Sequence, residues 1–493
     1  MTSFKICFAS SELAPFAKTG GLADISAALG RYLHDAGHEV RVFLPLYSSI
    51  DHSTLELRPV DAVRDVPLTL GGREFRFSIY RAEIGGPAVH FVHCPALYNR
   101  PGLYTTGGDE HLRFILLSRA IIESCQRMAW APQIFHCNDW HTALIPLYLR
   151  TIYGWDRLFA DSRTLLTVHN VGYQGIFAAS ILSDTGLGDS AHLLHQDDLA
   201  AGRINFLKTG LLYADALTTV SPTHAEEIQT DAYGMGLQDI LRARSSSLAG
   251  ILNGVDYAEW DPRTDRHLRY HYSPGNLAGK EKNKQVLLQS LGLPYDRQTP
   301  VVGLISRLML QKGIDLLVQV LPELLGQRDL RFVALGSGEP DYEGFLGALQ
   351  RRYPRQACFY RGFHTPLAHL IEAGSDLFLM PSLYEPCGLN QMYSLRYGTV
   401  PIVRRTGGLA DTVEMFEPRT GTGTGIVFED YDAAALRWAL NVALDLFNDR
   451  RRWRRLQRNG MAQDFSWQRQ GARYLEVYRK LCGVRAEVGM AEV

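Results

Sequence analysis

A strand that breaks on two glycines and resumes as a helix is compatible with few folds. FKICFAS (4–10) is apolar and rich in strand formers. After Gly20 and Gly21, the segment ADISAALGRYLHDAGH places Ile25, Ala28, Leu29, Tyr32 and Leu33 at helical spacing. Gly37 ends that helix, and EVRVFLPLY (39–47) starts a second strand. This β-loop-α-β unit predicts a parallel, doubly wound α/β sheet. Further strand-like runs follow at 88–94, 133–137, 163–170, 216–221 and 250–256. A second series begins at PVVGLISRL (300–308) and continues at 330–338, 357–363, 376–382 and 399–405, with helix-like stretches between.

The chain has 493 residues, too many for one ordinary core. The expected organisation is an N-terminal Rossmann-like domain over 1–255 and a second over 256–465. The final helix, 466–493, is expected to pack back on the first domain. A formal net charge of −1 gives no long-range attraction to nucleic acid or to an acidic membrane, so an anionic ligand needs local cations. The seven cysteines contain no CxxC pair, which argues against a disulfide framework or structural zinc and fits a cytoplasmic setting. No apolar run of membrane-spanning length and no secretory h-region is present.

Four stretches could carry chemistry. In SELAPFAKTGGLAD (11–24), Gly20 and Gly21 open a helix whose N–H groups favour an anion, with Lys18 beside them. A tight turn with a surface lysine is the plain alternative. In SRLMLQKG (306–313), Arg307 and Lys312 follow a strand and suit a diphosphate, although solvated surface charges are the common fate of such residues. In SLYEPCGLNQ (382–391), Gly388, Leu389 and Asn390 begin a helix that would cap a phosphate, with Glu385 toward a sugar; a carboxylate that merely complements the helix dipole is the alternative. HCNDWHT (136–142) and TVHNVGYQG (167–175) supply Asp139, His169, Tyr173 and Gln174, a mixture of hydrogen-bonding groups and aromatic faces that suits a carbohydrate. His136 and His141 lack a third ligand at convincing spacing, so no metal is expected. DYD (430–432) reads as a helix N-cap, and DRRRWRRLQR (449–458) as a charged helix face with a buried tryptophan.

One string occurs twice, as KTGGLAD (18–24) and RTGGLAD (405–411). The first opens the leading helix of its domain and reads as a ligand loop. The second follows a later strand and reads as a support for the EPCGL segment.

Together these motifs, with YADALTTVSPTHAEEI, YGMGL, GILNGVD, YGTVPIVRRTGGLADTV and DFSW, resemble the bacterial glycogen synthase and plant starch synthase family, nearly end to end and in order. The resemblance implies a GT-B fold, two Rossmann-like domains facing each other across a cleft, and retaining transfer of glucose from ADP-glucose to the nonreducing end of an α-1,4-glucan. It assigns the donor diphosphate to Lys18, Arg307, Lys312, Gly388, Leu389 and Asn390. It assigns the donor glucose to Asp139, His169, Asn253 and Glu385, with Cys387 alongside, and Phe363 to the adenine. Glu12 falls on the acceptor side. The implied partners are ADP-glucose and glycogen, with no cofactor, nucleic acid or membrane. UDP-glucose as donor, and a noncatalytic glucan-binding scaffold, are the alternatives. Three departures stand out. Tyr393 lies where related enzymes carry a second glutamate, Phe363 where relatives usually carry tyrosine, and Asn390 where threonine or serine is common.

Overall fold

Each series of strands builds its own sheet. The computed structural model describes residues 3–484 apart from 52, 54 and 84. The chain divides into two compact units, one of Met1–Val220, Ala225–Gly254 and Trp467–Val493, the other of Ser221–His224 and Val255–Ser466.

In the first unit the strands lie in the order Leu248–Gly250, Ala216–Thr219, Arg163–Val168, Ile134–Asn138, Lys5–Ala9, Glu39–Pro45 and Ala88–His93, all parallel. The antiparallel strands Arg73–Ala82 and Arg58–Pro59 continue the edge, and Val66–Leu70 pairs with the former. This edge hairpin is absent from the expectation above, although its pattern is legible. In Val66–Leu70 the residues Val66, Leu68 and Leu70 are buried while Pro67 and Thr69 are exposed, the alternation of a half-covered strand. The run 250–256 is a strand only to Gly250. Beyond it the backbone packs closely, and a Cβ on Gly254 would lie 2.5 Å from the Trp467 ring.

The second unit has one parallel six-stranded sheet in the order Ala357–Arg361, Arg331–Gly336, Val301–Ile305, Leu377–Met380, Val400–Arg404 and Ile426–Phe428. Parallel strands are covered on both faces, which is why they read as unbroken apolar runs. One core cluster joins Leu304, Phe332 and Ile402 to Ile314, Leu317 and Leu321 of the helix Ile314–Gln327.

The helix Trp467–Leu481 belongs to the first unit and buries Trp467, Tyr474 and Tyr478. The Tyr478 hydroxyl hydrogen-bonds to His136 Nδ1 at 2.7 Å, and His136 Nε2 meets Thr167 Oγ1 at 2.7 Å. Burial depresses His136 to about 3, so its ring is neutral and both nitrogens serve the core. Tyr478→Ala removes a fully buried ring and is expected to cost about 3–5 kcal/mol. Hydrogen exchange should show lost protection in Ile134–Asn138; unchanged protection there would contradict this account.

Candidate active site

In an open α/β sheet, ligands bind beyond the carboxyl ends of the strands where the strand order reverses. The first unit reverses between Lys5–Ala9 and Ile134–Asn138. The segments leaving those strands are 10–20 and 139–142, and both carry expected site residues. Glu12 is buried, and its carboxylate accepts the Thr19 N–H at 2.8 Å, the Thr19 hydroxyl at 2.6 Å, the Gly20 N–H at 3.2 Å and the Tyr104 hydroxyl at 2.8 Å. Glu12 thereby braces the glycine loop, and the Gly20 N–H faces its carboxylate. The reason is local: Gly20 is the N-cap of Gly21–Asp35 and has no side chain to satisfy the N–H groups of that turn. Lys18 Nζ lies 2.7 Å from Asp24 Oδ1 at the surface.

Asp139 begins the next segment with φ +55°, a left-handed conformation uncommon outside glycine. Its Oδ1 accepts the His169 N–H at 2.7 Å, and burial raises its carboxyl to about 7. His169 Nε2–H donates to Asn138 Oδ1 at 2.9 Å, while Asn138 Nδ2 donates to Ala9 O at 3.0 Å. Burial lowers His169 to about 3, leaving the imidazole neutral. Three adjacent strand ends are thus tied together, the Asp139 carboxyl to the His169 main chain and the His169 ring to Asn138. Asn138, absent from the expected set, is the link, and nothing in its sequence position marks it.

Asn253 is buried, and its Oδ1 has no hydrogen-bond partner among the described residues. Tyr173 is half exposed. Gln174 is held by three hydrogen bonds: its amide nitrogen donates to Val171 O and Met235 O, and its oxygen accepts from Asn205 Nδ2 at 2.6 Å. It ties two loops together because both carry carbonyls that no strand satisfies.

The second unit reverses between Val301–Ile305 and Leu377–Met380. The segments leaving those strands are 306–313 and 381–390. Lys312 Nζ lies 2.6 Å from Glu385 Oε2, which also accepts the Ser382 hydroxyl at 3.0 Å. Arg307 is exposed on the same segment as Lys312. The two segments are joined by Leu383 N–H to Gln311 O at 2.9 Å and by Asn390 Nδ2 to Ile305 O at 2.8 Å. Leu389 caps the helix Asn390–Tyr397, and Gly388 has φ +73°. Cys387 is buried, while Phe363, after Ala357–Arg361, is 77% exposed. Tyr393 lies flat on Trp260, ring centroids 3.9 Å apart, with His369 on the other face at 3.8 Å. The position where related enzymes carry a second glutamate is therefore an aromatic stack that anchors the helix.

The repeated string has two different roles. In KTGGLAD, Asp24 pairs with Lys18. In RTGGLAD, Asp411 accepts both the N–H (2.9 Å) and the hydroxyl (2.7 Å) of Thr223. The Gly408 N–H donates to Glu385 O at 3.0 Å, and a Cβ on Gly408 would lie 2.1 Å from Cys387 O. Gly407, at φ +44°, would put a Cβ 2.0 Å from Glu385 O. These glycines let one backbone lie directly against another and so hold the Glu385 segment in place.

The family model described as Starch synthase catalytic domain matches residues 5–243, and that described as Glycosyl transferases group 1 matches 292–459. A glycogen synthase of Koribacter versatilis is 47% identical over 98% of this chain and 99% of its own length. The chain belongs to the glycogen synthase family. A glycogen synthase of Thermotoga maritima is 42% identical over 97% of this chain and 98% of its own. The catalytic domain of starch synthase IV from Arabidopsis thaliana, a structure bound to ADP and acarbose, superposes with a TM-score of 0.90 at 34% identity, covering 98% of this chain and 100% of that one. A sucrose-phosphate synthase from Thermosynechococcus elongatus, at TM-score 0.61 and 18% identity, shares the fold. The protein is thus a glycosyltransferase of GT-B fold.

Two outcomes follow for this glycogen synthase relative. Gly408→Ala must displace the Glu385–Cys387 backbone, and an error near 1 Å at a reacting site costs about 10²-fold; glucosyl transfer should fall by that order in assays of folded protein. Asp139 binds its proton more tightly folded than unfolded. Its contribution to stability is full below the ordinary carboxyl value of about 3.9 and is lost as pH rises through about 7. Asp139→Asn keeps the Oδ1 acceptor and lacks that loss. The variant should therefore gain stability relative to the parent between pH 4 and 8 in denaturant titrations; a constant difference would contradict the assignment.

Proposed function

We propose that the protein transfers glucose from ADP-glucose to the nonreducing end of an α-1,4-glucan, with retention of anomeric configuration. The observation that carries this reading is the Lys312–Glu385 pair at the switch point of the second unit's sheet. A diphosphate leaving group gathers negative charge as the anomeric C–O bond breaks, and cations already in place stabilise it without reorganisation. Arg307 and Lys312 are those cations, the N–H groups at the start of Asn390–Tyr397 add to them, and the reading calls on no metal. Among the described residues, both hydrogen bonds to the Glu385 carboxylate fall on Oε2, which leaves Oε1 for a sugar hydroxyl. The unpartnered Asn253 Oδ1 is a second acceptor suited to a hydroxyl. The acceptor hydroxyl oxygen bonds to the anomeric carbon on the face from which the phosphate departs, and its proton passes to the departing phosphate oxygen.

The Arabidopsis starch synthase structure supports the choice of donor and acceptor, since it was bound to ADP and acarbose. The exposed ring of Phe363 stacks on a base without reading it, so UDP-glucose is the competing donor. Assaying nucleoside diphosphate release from each donor with glycogen primer decides between them: faster turnover of UDP-glucose overturns the proposal.

Two substitutions separate the chemistry from stability. Arg307→Ala should lower turnover about 10²–10³-fold with an unchanged thermal midpoint, because the side chain is exposed. Lys312→Ala should lose turnover comparably. It should also lower the midpoint, because it leaves the buried Glu385 carboxylate without its cation, at a cost of about 3–5 kcal/mol. Near-parental turnover in both would remove the phosphate assignment.

A further inference from the structure

At the opposite edge of the second unit's sheet lies a cavity of about 580 Å³. Its lining includes Asp376, which immediately precedes the strand Leu377–Met380, and Arg297, just before Val301–Ile305. It therefore sits at the amino ends of the strands whose carboxyl ends carry Lys312 and Glu385. Five residues of strand, about 17 Å, separate the two edges. Six basic side chains line the cavity against two carboxylates.

The carboxylates are already committed. Asp376 accepts from Lys284 Nζ at 2.8 Å and from the Val301 N–H at 2.9 Å. Glu281 accepts the Tyr295 hydroxyl at 2.8 Å and lies 3.8 Å from Arg297. Lys280 and Lys284 form the buried floor. Lys280 Nζ donates to Thr399 Oγ1 at 2.6 Å and Ala373 O at 3.1 Å, and its burial lowers it to about 7.

The wall is the helix Arg450–Met461, the arginine-rich segment that the proposed function does not use. Trp453 and Leu456 turn to the core, and Arg450, Arg454 and Arg458 recur every four residues along the cavity. Their Cα atoms span about 12 Å. Arg450 lies over the Phe447 ring at 4.4 Å and donates to Arg297 O. Arg454 and Arg458 have no ion-pair partner among the described residues. Like charges at this spacing weaken a helix, so the row does not serve folding. Opposite it begins the helix Ala278–Ser290, whose first residues also line the cavity and add the positive end of a helix dipole.

We propose that this cavity binds a small metabolite carrying two phosphoryl groups. Its volume suits a small molecule. Guanidinium forks match phosphate oxygens in pairs. One phosphate cannot reach arginines spread over about 12 Å, whereas two phosphates joined by a sugar can. A nucleic acid is a poorer occupant, because Trp453, the aromatic ring of the lining, is 3% exposed and offers no face for a base.

Calorimetric titration of the full-length protein with fructose 1,6-bisphosphate, inorganic phosphate and an RNA oligonucleotide tests the site. The bisphosphate should bind once per chain, at least tenfold tighter than phosphate. The doubly substituted protein Arg454→Ser/Arg458→Ser and, on a separate element, Arg297→Ser should each weaken it at least tenfold. Arg307→Ala, at the other edge of the sheet, should leave it unchanged. Thermal midpoints establish that each variant is folded, and Arg297→Ser decides if the double variant is not. The proposal is overturned if the parent protein does not bind the bisphosphate, if it binds phosphate equally well, if the folded variants bind like the parent, or if RNA is the ligand lost in them.

Discussion

The second unit depends on backbone lying against backbone where side chains would not fit. Gly408 meets Cys387, Gly407 meets the Glu385 carbonyl, and a Cβ on Gly313 would lie 2.0 Å from Pro381 O. These contacts fix the segments that leave the two central strands. Once they are fixed, Lys312 and Glu385 stand at ion-pair distance without either side chain having to search for the other. A salt bridge between long side chains is a weak organiser by itself; here the glycine contacts set the geometry and the pair supplies the charge.

The first unit solves the same problem with carboxylate and amide side chains. Glu12 gathers four donors from the glycine loop and Tyr104, and Asn138 links the Ala9 carbonyl to His169. Burial then shifts the groups it encloses in opposite directions, Asp139 up and His169 down, so both favour their uncharged forms. A carboxyl and an uncharged imidazole together supply the donors and acceptors that hydroxyl groups need.

The strand order gives each sheet two edges of different content. Parallel strands send the segments at their carboxyl ends to one edge and those at their amino ends to the other. In the second unit the first edge holds the Lys312–Glu385 pair and the other holds the cationic cavity. The helix Asn390–Tyr397 begins beside Glu385, and the carbonyl of Gly398 at its far end accepts from Gln457 of the cavity wall at 2.8 Å. The Trp260 stack on Tyr393 stiffens that helix midway.

By itself the sequence determined the two α/β series, the glycine turns and the strand ends where Lys312, Glu385, Asp139 and His169 stand, because apolar runs and helical spacing are local properties of the chain. It also distinguished the two copies of TGGLAD by the strand each follows. It did not disclose that Glu12 and Gln174 turn inward, that Asn138 links three strands, or that Val66–Leu70 and Arg73–Ala82 form an edge hairpin. Which partner a carboxylate or an amide takes depends on residues tens of positions away, brought near only by strand order. The tertiary structure decided the pairings, the shifted ionisation of Asp139 and His169, and the gathering of six basic side chains around one cavity, because burial and proximity are properties of the folded chain alone.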